Sequence, residues 1–359
     1  MSKNQQDKLV RSIKPGKIIL PALIGLAVVG WFIFAEIDAD TLGILNFTWK
    51  SIFWIIVAWL FMIGRDLGYI IRIRILTDKE LTWRQAFRVI MLWEFTTAVT
   101  PTTIGGTAMA VVFLSKEKIS VGKSTAVVLA TSFLDELYFV IILPLALIII
   151  GYKALFIPAL QGTGMAFLNH LMLLTSIGYG LILVWVIIVG YGLFFNPHAI
   201  RKLIIEFFKL PIVKRWQDAA VKAGNDIVES SYELKKKGRM FWIKAAAATF
   251  LSWTSRYCVV NAVIIAFFTL NDHFLVFARQ LSTRIMVMIS PSPGGSGFAE
   301  LILSRYISDT IPVDIAVAGS VALAIAIIWR IISYYPYLTI GALITPRWIE
   351  KNFIKSQNS

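Results

Sequence analysis

Apolar residues recur along this chain in runs that are long enough to cross a membrane. An α-helix rises 1.5 Å per residue, so about 20 apolar residues cross a hydrocarbon layer of roughly 30 Å. We therefore predict an all-α, polytopic integral membrane protein with a single membrane domain at residues 18–345. The six predicted full spans cover residues 18–34, 51–71, 124–150, 167–195, 241–270 and 313–343.

Two further apolar stretches are interrupted near their centres by glycine and proline. Residues 87–114 contain Pro-Thr-Thr-Ile-Gly-Gly at 101–106, and residues 275–307 contain Ser-Pro-Ser-Pro-Gly-Gly-Ser-Gly at 290–297. Each arm of these stretches is about half as long as the membrane is thick. We predict two re-entrant helical hairpins, of which the first enters from the cytoplasm and the second from outside, so that they face each other.

The polar segments are basic and set the expected orientation. They comprise an N-terminus at residues 1–17, a segment at 196–240 with two amphipathic helical patterns, and a tail at 346–359. If both hairpins crossed the membrane completely, the segment at 196–240 would lie outside, against the positive-inside rule. We therefore expect both termini and this segment to be cytoplasmic, in a multi-pass protein of the cytoplasmic (inner) membrane.

The two halves of the membrane domain repeat the same pattern of elements. Residues 51–150 and 241–345 each contain a hairpin broken at Gly-Gly and then a long span with charge near its middle. Asp135 and Glu136 follow the first hairpin, and Arg330 follows the second. This order predicts an inverted-topology repeat, which transporters use to build a binding site at the membrane midplane.

Composition narrows the range of functions. The formal net charge is +14, but 57% of residues are hydrophobic and the basic excess lies in loops and termini, which favours anionic lipid head groups over nucleic acid. The single Cys258 allows no intramolecular disulfide, and the three histidines lack metal-ligand spacing. Because no nucleophile motif, P-loop or dinucleotide fingerprint occurs, we predict no cofactor, no metal and no enzymatic activity.

Charged residues within the spans are the first candidates for a binding site. Each costs about 2.5 to 3.5 kcal/mol on insertion scales unless it is paired or hydrated. Arg256 and Arg330 are expected to meet a phosphate, while Asp135 and Glu136 meet a cationic group or a proton. These four residues could instead neutralise one another in a structural ion cluster. Arg65 and Asp66 are interpreted as snorkelling to the interface.

The hairpin tips are the second candidates, because glycine and proline leave backbone groups unpaired, and such backbone at membrane depth lines cavities. Glu300 lies just beyond the second tip. Arg284 and Arg279 lie in the arm before it, where they are expected either to escort an anion from outside or, for Arg279, to sit at the interface. The complete predicted set of substrate-binding residues is Arg256, Arg330, Glu300, Asp135, Glu136, Pro101, Gly105, Gly106, Pro293, Gly294, Gly295 and Arg284.

The second tip, from Ser290 to Glu300, together with Trp329 and Arg330, resembles the C-terminal signature of the lysylphosphatidylglycerol synthase transmembrane (flippase-like) family. The first tip with Asp135 resembles its counterpart in the first half, although Thr107 stands where an acidic residue is expected. The resemblance covers about residues 51–343 and implies a stand-alone membrane domain, without the aminoacyltransferase part, that moves lipids or lipid-linked molecules between leaflets.

These observations together favour a lipid translocase, in which a polar groove between the hairpins passes the head group. The expected partners are membrane phospholipids, anionic or aminoacylated, and a second copy of the chain or a separate lipid-modifying enzyme. A proton-coupled transporter of a small organic ion is one alternative, because the same midplane charges would serve it. A non-transporting membrane subunit that presents residues 196–240 to a partner is another.

Overall fold

A computed structural model describes residues 27, 30–31, 39–100, 103–156, 165–207, 209, 217–288, 292–350 and 352. Within these ranges the chain is helical and contains no strand. The helices, in chain order, are α1 (Ala39–Ile44), α2 (Trp49–Leu76), α3 (Trp83–Val99), α4 (Thr103–Lys116), α5 (Val121–Ile150), α6 (Tyr152–Phe156), α7 (Met165–Phe194), α8 (Pro197–Phe207), α9 (Gln217–Lys235), α10 (Arg239–Phe267), α11 (His273–Val287), α12 (Phe298–Ile307), α13 (Ile315–Ser333) and α14 (Tyr335–Ile349).

Five helical stretches in the described ranges are long and apolar enough to cross a membrane: α2, α5, α7, α10 and the combined residues 315–349 of α13 and α14. They coincide with five of the six predicted spans, and the fold class of an all-α polytopic membrane protein is confirmed. The other predicted span, residues 18–34, lies almost entirely outside the described residues.

The last predicted span, at residues 313–343, is broken near its middle. α13 ends at Ser333, Tyr334 adopts φ −128° and ψ −54°, and α14 begins at Tyr335 with Pro336 in its first turn. Proline fits the first turn of a helix because it has no N–H to leave unpaired there, but it disfavours helical continuation from the preceding turn. The break places Tyr334 against the hairpin tips described below.

Helices α2 and α10 form the centre of the domain and run antiparallel. Ser51 near the start of α2 donates a hydrogen bond to the carbonyl oxygen of Ala266 near the end of α10, at 2.9 Å. Arg72 near the end of α2 donates to Thr249 in the first half of α10, at 3.1 Å. These helices are the first members of the two predicted repeats, and opposite directions are what an inverted repeat requires of them.

The first hairpin is formed by α3 and α4, which also run antiparallel. Thr82 caps α3 by accepting a hydrogen bond from the backbone N–H of Gln85, so the hairpin begins at Trp83 and not at residue 87. At its open end, Arg88 and Glu117 form an ion pair of 2.9 Å. At its closed end, Gly106 lies directly against Thr97, where a Cβ atom would overlap the threonine hydroxyl.

The second hairpin is formed by α11 and α12 with a short 3₁₀ turn at Pro293–Gly295 between them. At its open end, Arg279 donates to the carbonyl oxygen of Tyr306 at 2.8 Å and pairs through both guanidinium N–H groups with Asp309. At its closed end, Gly295 lies against Val287. Both hairpins therefore have an arginine–carboxylate pair at the open end and a tightly packed glycine at the tip.

The two tips meet. The backbone N–H of Gly294 donates to the carbonyl oxygen of Thr100 at 3.4 Å, and the hydroxyl of Tyr334 donates to the carbonyl oxygen of Ala98 at 2.9 Å. Contacts between residues 194 and 236 positions apart thus join the ends of the two hairpins. Entry of the hairpins from opposite faces of the membrane stays a prediction.

The polar segment predicted at residues 196–240 contains α8 and α9, which pack against each other and are joined by a hydrogen bond of 2.6 Å from Arg201 to Asn225. Beyond α9, Lys237 pairs with Asp78 at 2.6 Å, and Lys123 at the start of α5 contacts the same carboxylate. This end of the domain therefore brings together the basic loops that the charge rule assigns to one side.

Candidate functional site

A cavity of about 300 Å³ lies where the two hairpin tips, α2, α5, α10 and α13 converge. Seven of the predicted site residues line its wall: Asp135, Glu136, Arg256, Arg284, Gly294, Gly295 and Arg330. Three further charged residues belong to the site, although the sequence analysis did not place them there. Arg72 and Glu94 line the wall of the cavity, and Arg65 lies behind this wall and contacts Glu94.

Asp135 is held by two helices. Arg72 of α2 pairs with both of its oxygens, at 2.5 and 3.1 Å, and the indole N–H of Trp253 on α10 donates to it at 2.6 Å. Arg72 is itself 3% exposed and also donates to Thr249. A bidentate pair with a further donor leaves Asp135 with its charge compensated and its orientation fixed.

Glu136, the next residue on α5, faces Arg284 of α11 at 3.4 Å. The guanidinium of Arg284 lies beside two aromatic rings that also contact each other, 4.5 Å from the centroid of Trp253 and 4.8 Å from that of Phe139. Cation–π contacts of this kind stabilise a cation that is removed from water. The second carboxylate oxygen of Glu136 is buried and has no hydrogen-bond partner among the residues that the structure describes.

Glu94 on α3 shares one arginine with a second carboxylate. Arg65, which is 1% exposed, pairs with Asp66 at 2.8 Å and also contacts Glu94. The hydroxyl of Tyr337 on α14 donates to both oxygens of Asp66, at 2.9 and 3.0 Å. The prediction that Arg65 and Asp66 snorkel to the interface is therefore wrong, because packing of α3 and α14 against α2 buries this arginine and supplies it with partners.

Arg330 and Glu300 form the most deeply buried ion pair of the site, at 2.8 Å, with side chains 5% and 1% exposed. Arg330 also donates to the carbonyl oxygen of Gly294 at 2.8 Å, and Glu300 accepts the backbone N–H of Gly297 at 2.9 Å. Both oxygens of Glu300 are thus used. Arg330 faces the cavity, whereas Glu300 lies behind it and positions Arg330 and the second tip.

Arg256 differs from the other arginines of the wall. It lies 5.6 Å from the ring centroid of Trp253, but it forms no ion pair and no hydrogen bond with any described residue. The alternative in which Asp135 and Glu136 neutralise Arg256 and Arg330 is therefore wrong in its pairing. Each acid has another arginine as its partner, and Arg330 has Glu300.

The remaining predicted residues of the tips are structural neighbours of the cavity. Gly106 packs on Thr97, Gly105 lies in the first turn of α4, and Pro293 begins the 3₁₀ turn. Pro101 lies outside the described residues. Thr107, the departure from the family pattern, lines the cavity wall.

Arg279 does not take the role of a free escort for anions. Its side chain is fully buried at the open end of the second hairpin, where the carboxylate of Asp309 and the carbonyl oxygens of Tyr306 and Ala154 accept from its two terminal nitrogens. Its location at the membrane interface stays a prediction. Sequence spacing could not reveal these contacts, because its partners lie 27, 30 and 125 positions away.

Aromatic side chains complete the cavity. They are Tyr69, Trp93, Trp253, Tyr257 and Trp329. The hydroxyl of Tyr257 and the indole N–H of Trp329 are buried without a hydrogen-bond partner in the described part of the chain. In that part, no group of three His, Cys, Asp or Glu side chains is arranged to hold a metal ion. The wall therefore offers to a ligand a cation and N–H and O–H donors that pair with no described residue, together with apolar ring surface.

Comparison with known proteins gives a family for this arrangement. The family model of the lysylphosphatidylglycerol synthase TM region matches residues 18–341. A UPF0104 membrane protein of Archaeoglobus fulgidus is 24% identical over 315 residues, which cover 84% of this chain and 89% of that protein. No solved structure matches. Because the family model covers most of the chain, the resemblance seen at the second tip is confirmed, and this protein belongs to the family of lysylphosphatidylglycerol synthase transmembrane regions.

Proposed function

We propose that this protein is a lipid translocase of the cytoplasmic membrane that moves phospholipids or lipid-linked molecules between leaflets, with both termini in the cytoplasm. The observation that carries the proposal is Arg256, a cation without an ionic partner among the described residues, on the wall of a cavity between spanning helices. A charge at this depth is costly and marks a substrate pathway in many membrane proteins. The family, whose name refers to a lipid synthase, supports a lipid as the substrate.

In this mechanism the phosphate of a head group leaves the membrane surface and binds Arg256. Guanidinium groups bind phosphate through charge-assisted and often bidentate hydrogen bonds. Trp329 and Tyr257 supply additional donors, and the aromatic rings pack against the glycerol part of the head group. The acyl chains remain in the bilayer, since a cavity of about 300 Å³ holds a head group but not a whole lipid.

The proposal is tested with purified protein in liposomes that contain a phosphatidylglycerol labelled with a fluorophore on one acyl chain. A membrane-impermeant reductant bleaches the outer leaflet, and the rate at which the protected pool becomes accessible measures translocation. We expect the wild type to exceed protein-free liposomes at least tenfold. Arg256→Gln is expected to lower the rate to that of protein-free liposomes.

Lys244→Gln is the matched control, because Lys244 is an exposed cation three turns earlier on the same helix. It removes the same charge from α10 without touching the cavity, so its translocation rate should equal the wild-type rate. Full activity of Arg256→Gln would refute the assignment of the site. An inactive but folded wild type would refute lipid translocation by the chain alone.

One oxygen of Glu136 has no hydrogen-bond partner among the described residues, and this favours a second candidate, a transporter of a small organic ion coupled to protons. A carboxylate oxygen that faces a cavity without a partner can bind a cationic group or a proton. Uptake of a soluble organic ion into the same liposomes, driven by a pH gradient and abolished by Glu136→Gln, would favour this candidate. If neither assay shows activity and deletion of residues 196–240 removes the cellular phenotype, a non-transporting subunit is favoured.

A further inference from the structure

The charged residues that line the cavity, taken together with the charged residues that pair with them, have a net charge of zero. The five arginines are Arg65, Arg72, Arg256, Arg284 and Arg330, and the five carboxylates are Asp66, Glu94, Asp135, Glu136 and Glu300. Three of the pairs are one-to-one and neutral by themselves: Arg72 with Asp135, Arg284 with Glu136, and Arg330 with Glu300.

The remaining charges are separated. Arg65 is shared by Asp66 and Glu94, so this cluster carries one negative charge in excess. Arg256 carries one positive charge in excess and lines the same cavity as Glu94, without forming an ion pair with it. Charges in a low-dielectric interior interact over longer distances than charges in water. The free arginine therefore offsets the excess carboxylate across the cavity.

An anionic ligand on Arg256 removes this compensation. With a phosphodiester bound, the set carries one net negative charge, and the carboxylate excess at Asp66 and Glu94 has no balancing cation. Burial of an uncompensated carboxylate is relieved when the carboxylate binds a proton. Glu94 is the member that faces the ligand, because it lines the cavity, while Asp66 does not line it and is fixed by Tyr337.

We infer that the site takes up an anionic phosphodiester head group and one proton together, the anion on Arg256 and the proton on the Asp66–Glu94 pair. This inference rests on the proposed function and adds its energy source, since inward movement of the proton would then drive movement of the lipid. No bond other than O–H forms: one carboxylate and one proton from water become one carboxyl group.

The charged and titratable groups that interact with Glu94 come from four helices. Arg65, Asp66 and Tyr69 lie on α2, Arg256 on α10, Arg284 on α11 and Tyr337 on α14. Arg284 is already paired with Glu136, so it does not replace Arg256 as the compensating charge. The buried Tyr257, whose hydroxyl has no partner within the described ranges, lies next to Arg256 on the wall and provides an unused donor for the anion.

Proton uptake can be measured directly. Dihexanoyl phosphatidylglycerol is added to the purified protein in weakly buffered detergent solution with a pH-sensitive dye, and its affinity is determined by calorimetry at several pH values. We expect uptake approaching one proton per bound ligand. By linkage, the affinity should then rise by up to about tenfold for each unit of decrease in pH, until the free site is itself protonated.

Two variants test the charge argument independently of each other. Glu94→Gln and Asp66→Asn each remove one negative charge from the cluster, so either variant should bind the lipid with little proton uptake and little dependence on pH. Two variants are used because one of them could fail to fold. Glu117→Gln is the control, since it removes a carboxylate that lies at the open end of the same hairpin and does not line the cavity, and it should keep the wild-type proton uptake.

The outcomes separate the two proposals. Binding of the anionic lipid without proton uptake by the wild type would overturn the coupling and leave the lipid site intact. Unchanged proton uptake in both carboxylate variants would also overturn it. Absence of binding by the folded wild type would overturn the proposed function and the coupling with it.

Discussion

Tyr334 donates a hydrogen bond to the carbonyl oxygen of Ala98, at 2.9 Å, across 236 positions of the chain. Ala98 lies at the end of α3, next to the tip of the first hairpin, and Tyr334 lies at the break between α13 and α14. The ring of Tyr334 also packs on Gly294 in the tip of the second hairpin and lies 4.5 Å from the guanidinium of Arg330. A single side chain thus contacts both tips and one arginine of the cavity.

Replacing Tyr334 by phenylalanine should loosen the contact between the tips. The carbonyl oxygen of Ala98 would lose a buried donor, which costs about 1 to 3 kcal/mol. We expect a lower midpoint of thermal unfolding in detergent and an altered translocation rate. Tyr335→Phe is the control, because the hydroxyl of Tyr335 makes no hydrogen bond with the described residues. Equal unfolding midpoints for the two variants would contradict the role of Tyr334.

Gly294→Ala should destabilise the second tip. Gly294 has φ +57°, a conformation that costs an ordinary L-residue about 1 to 2 kcal/mol, and its added Cβ would lie 2.4 Å from the ring of Tyr334. We expect a loss of about 2 kcal/mol or more in the free energy of unfolding, together with loss of translocation. Gly319→Ala, at an open position on α13, should be neutral or slightly stabilising. Denaturant unfolding in micelles compares the two variants.

Glu300→Gln should destabilise the protein more than a substitution of an exposed charge does. It leaves Arg330 buried without an ionic partner, and breaking one side of a buried pair costs about 3 to 5 kcal/mol. The double variant Glu300→Gln with Arg330→Gln removes both charges, so it should recover part of the stability but none of the transport. Arg305→Gln, on the exposed face of α12, is the control and should stay near the wild type. A double variant no more stable than Glu300→Gln would be inconsistent with an uncompensated charge.

Arg256 and Arg72 should respond differently to the same substitution. Arg256→Gln breaks no ion pair and removes only the compensation across the cavity, which a proton on the Asp66–Glu94 pair restores, so the free energy of unfolding should fall by about 1 kcal/mol or less although transport is lost. Arg72→Gln leaves Asp135 without its bidentate partner and should cost about 3 kcal/mol or more. Thermal unfolding of both variants in one detergent measures the difference. Similar destabilisation of both would show that Arg256 has a structural partner.

The sequence predicts the helices of this protein well, because an apolar run of sufficient length has few alternatives in a membrane. The five spans in the described residues and the positions of both glycine-rich tips agree with the prediction. The family was likewise recognised from the second tip together with Arg330. These features depend on neighbouring residues and on composition, which a single sequence contains.

The pairing of charges could not be predicted in the same way. Arg65 and Arg72 lie near the end of an apolar run, where an arginine ordinarily reaches the membrane surface, and only the packing of α3, α5 and α14 on α2 supplies their partners. Arg279 and Asp309 belong to one hairpin, and their contact requires that its arms run antiparallel. One signal was available: carboxylates at 66, 94 and 135 within apolar surroundings require cations, and Arg65 and Arg72 are cations at the end of the preceding span in the same half of the chain.

The contact between α2 and α10 has a consequence for movement. Gly64 and Gly68, one helical turn apart on α2, let the backbone approach Ser255 and Ser252 on α10 so closely that a Cβ at Gly68 would lie 2.3 Å from the serine hydroxyl. Sliding α2 by one turn in either direction would press Leu60 or Arg72 into a space that admits only glycine. The two helices therefore have a single permitted register. We expect α2 and α10 to act as a fixed axis, about which the two halves of the protein rotate while the contact between these helices stays unchanged.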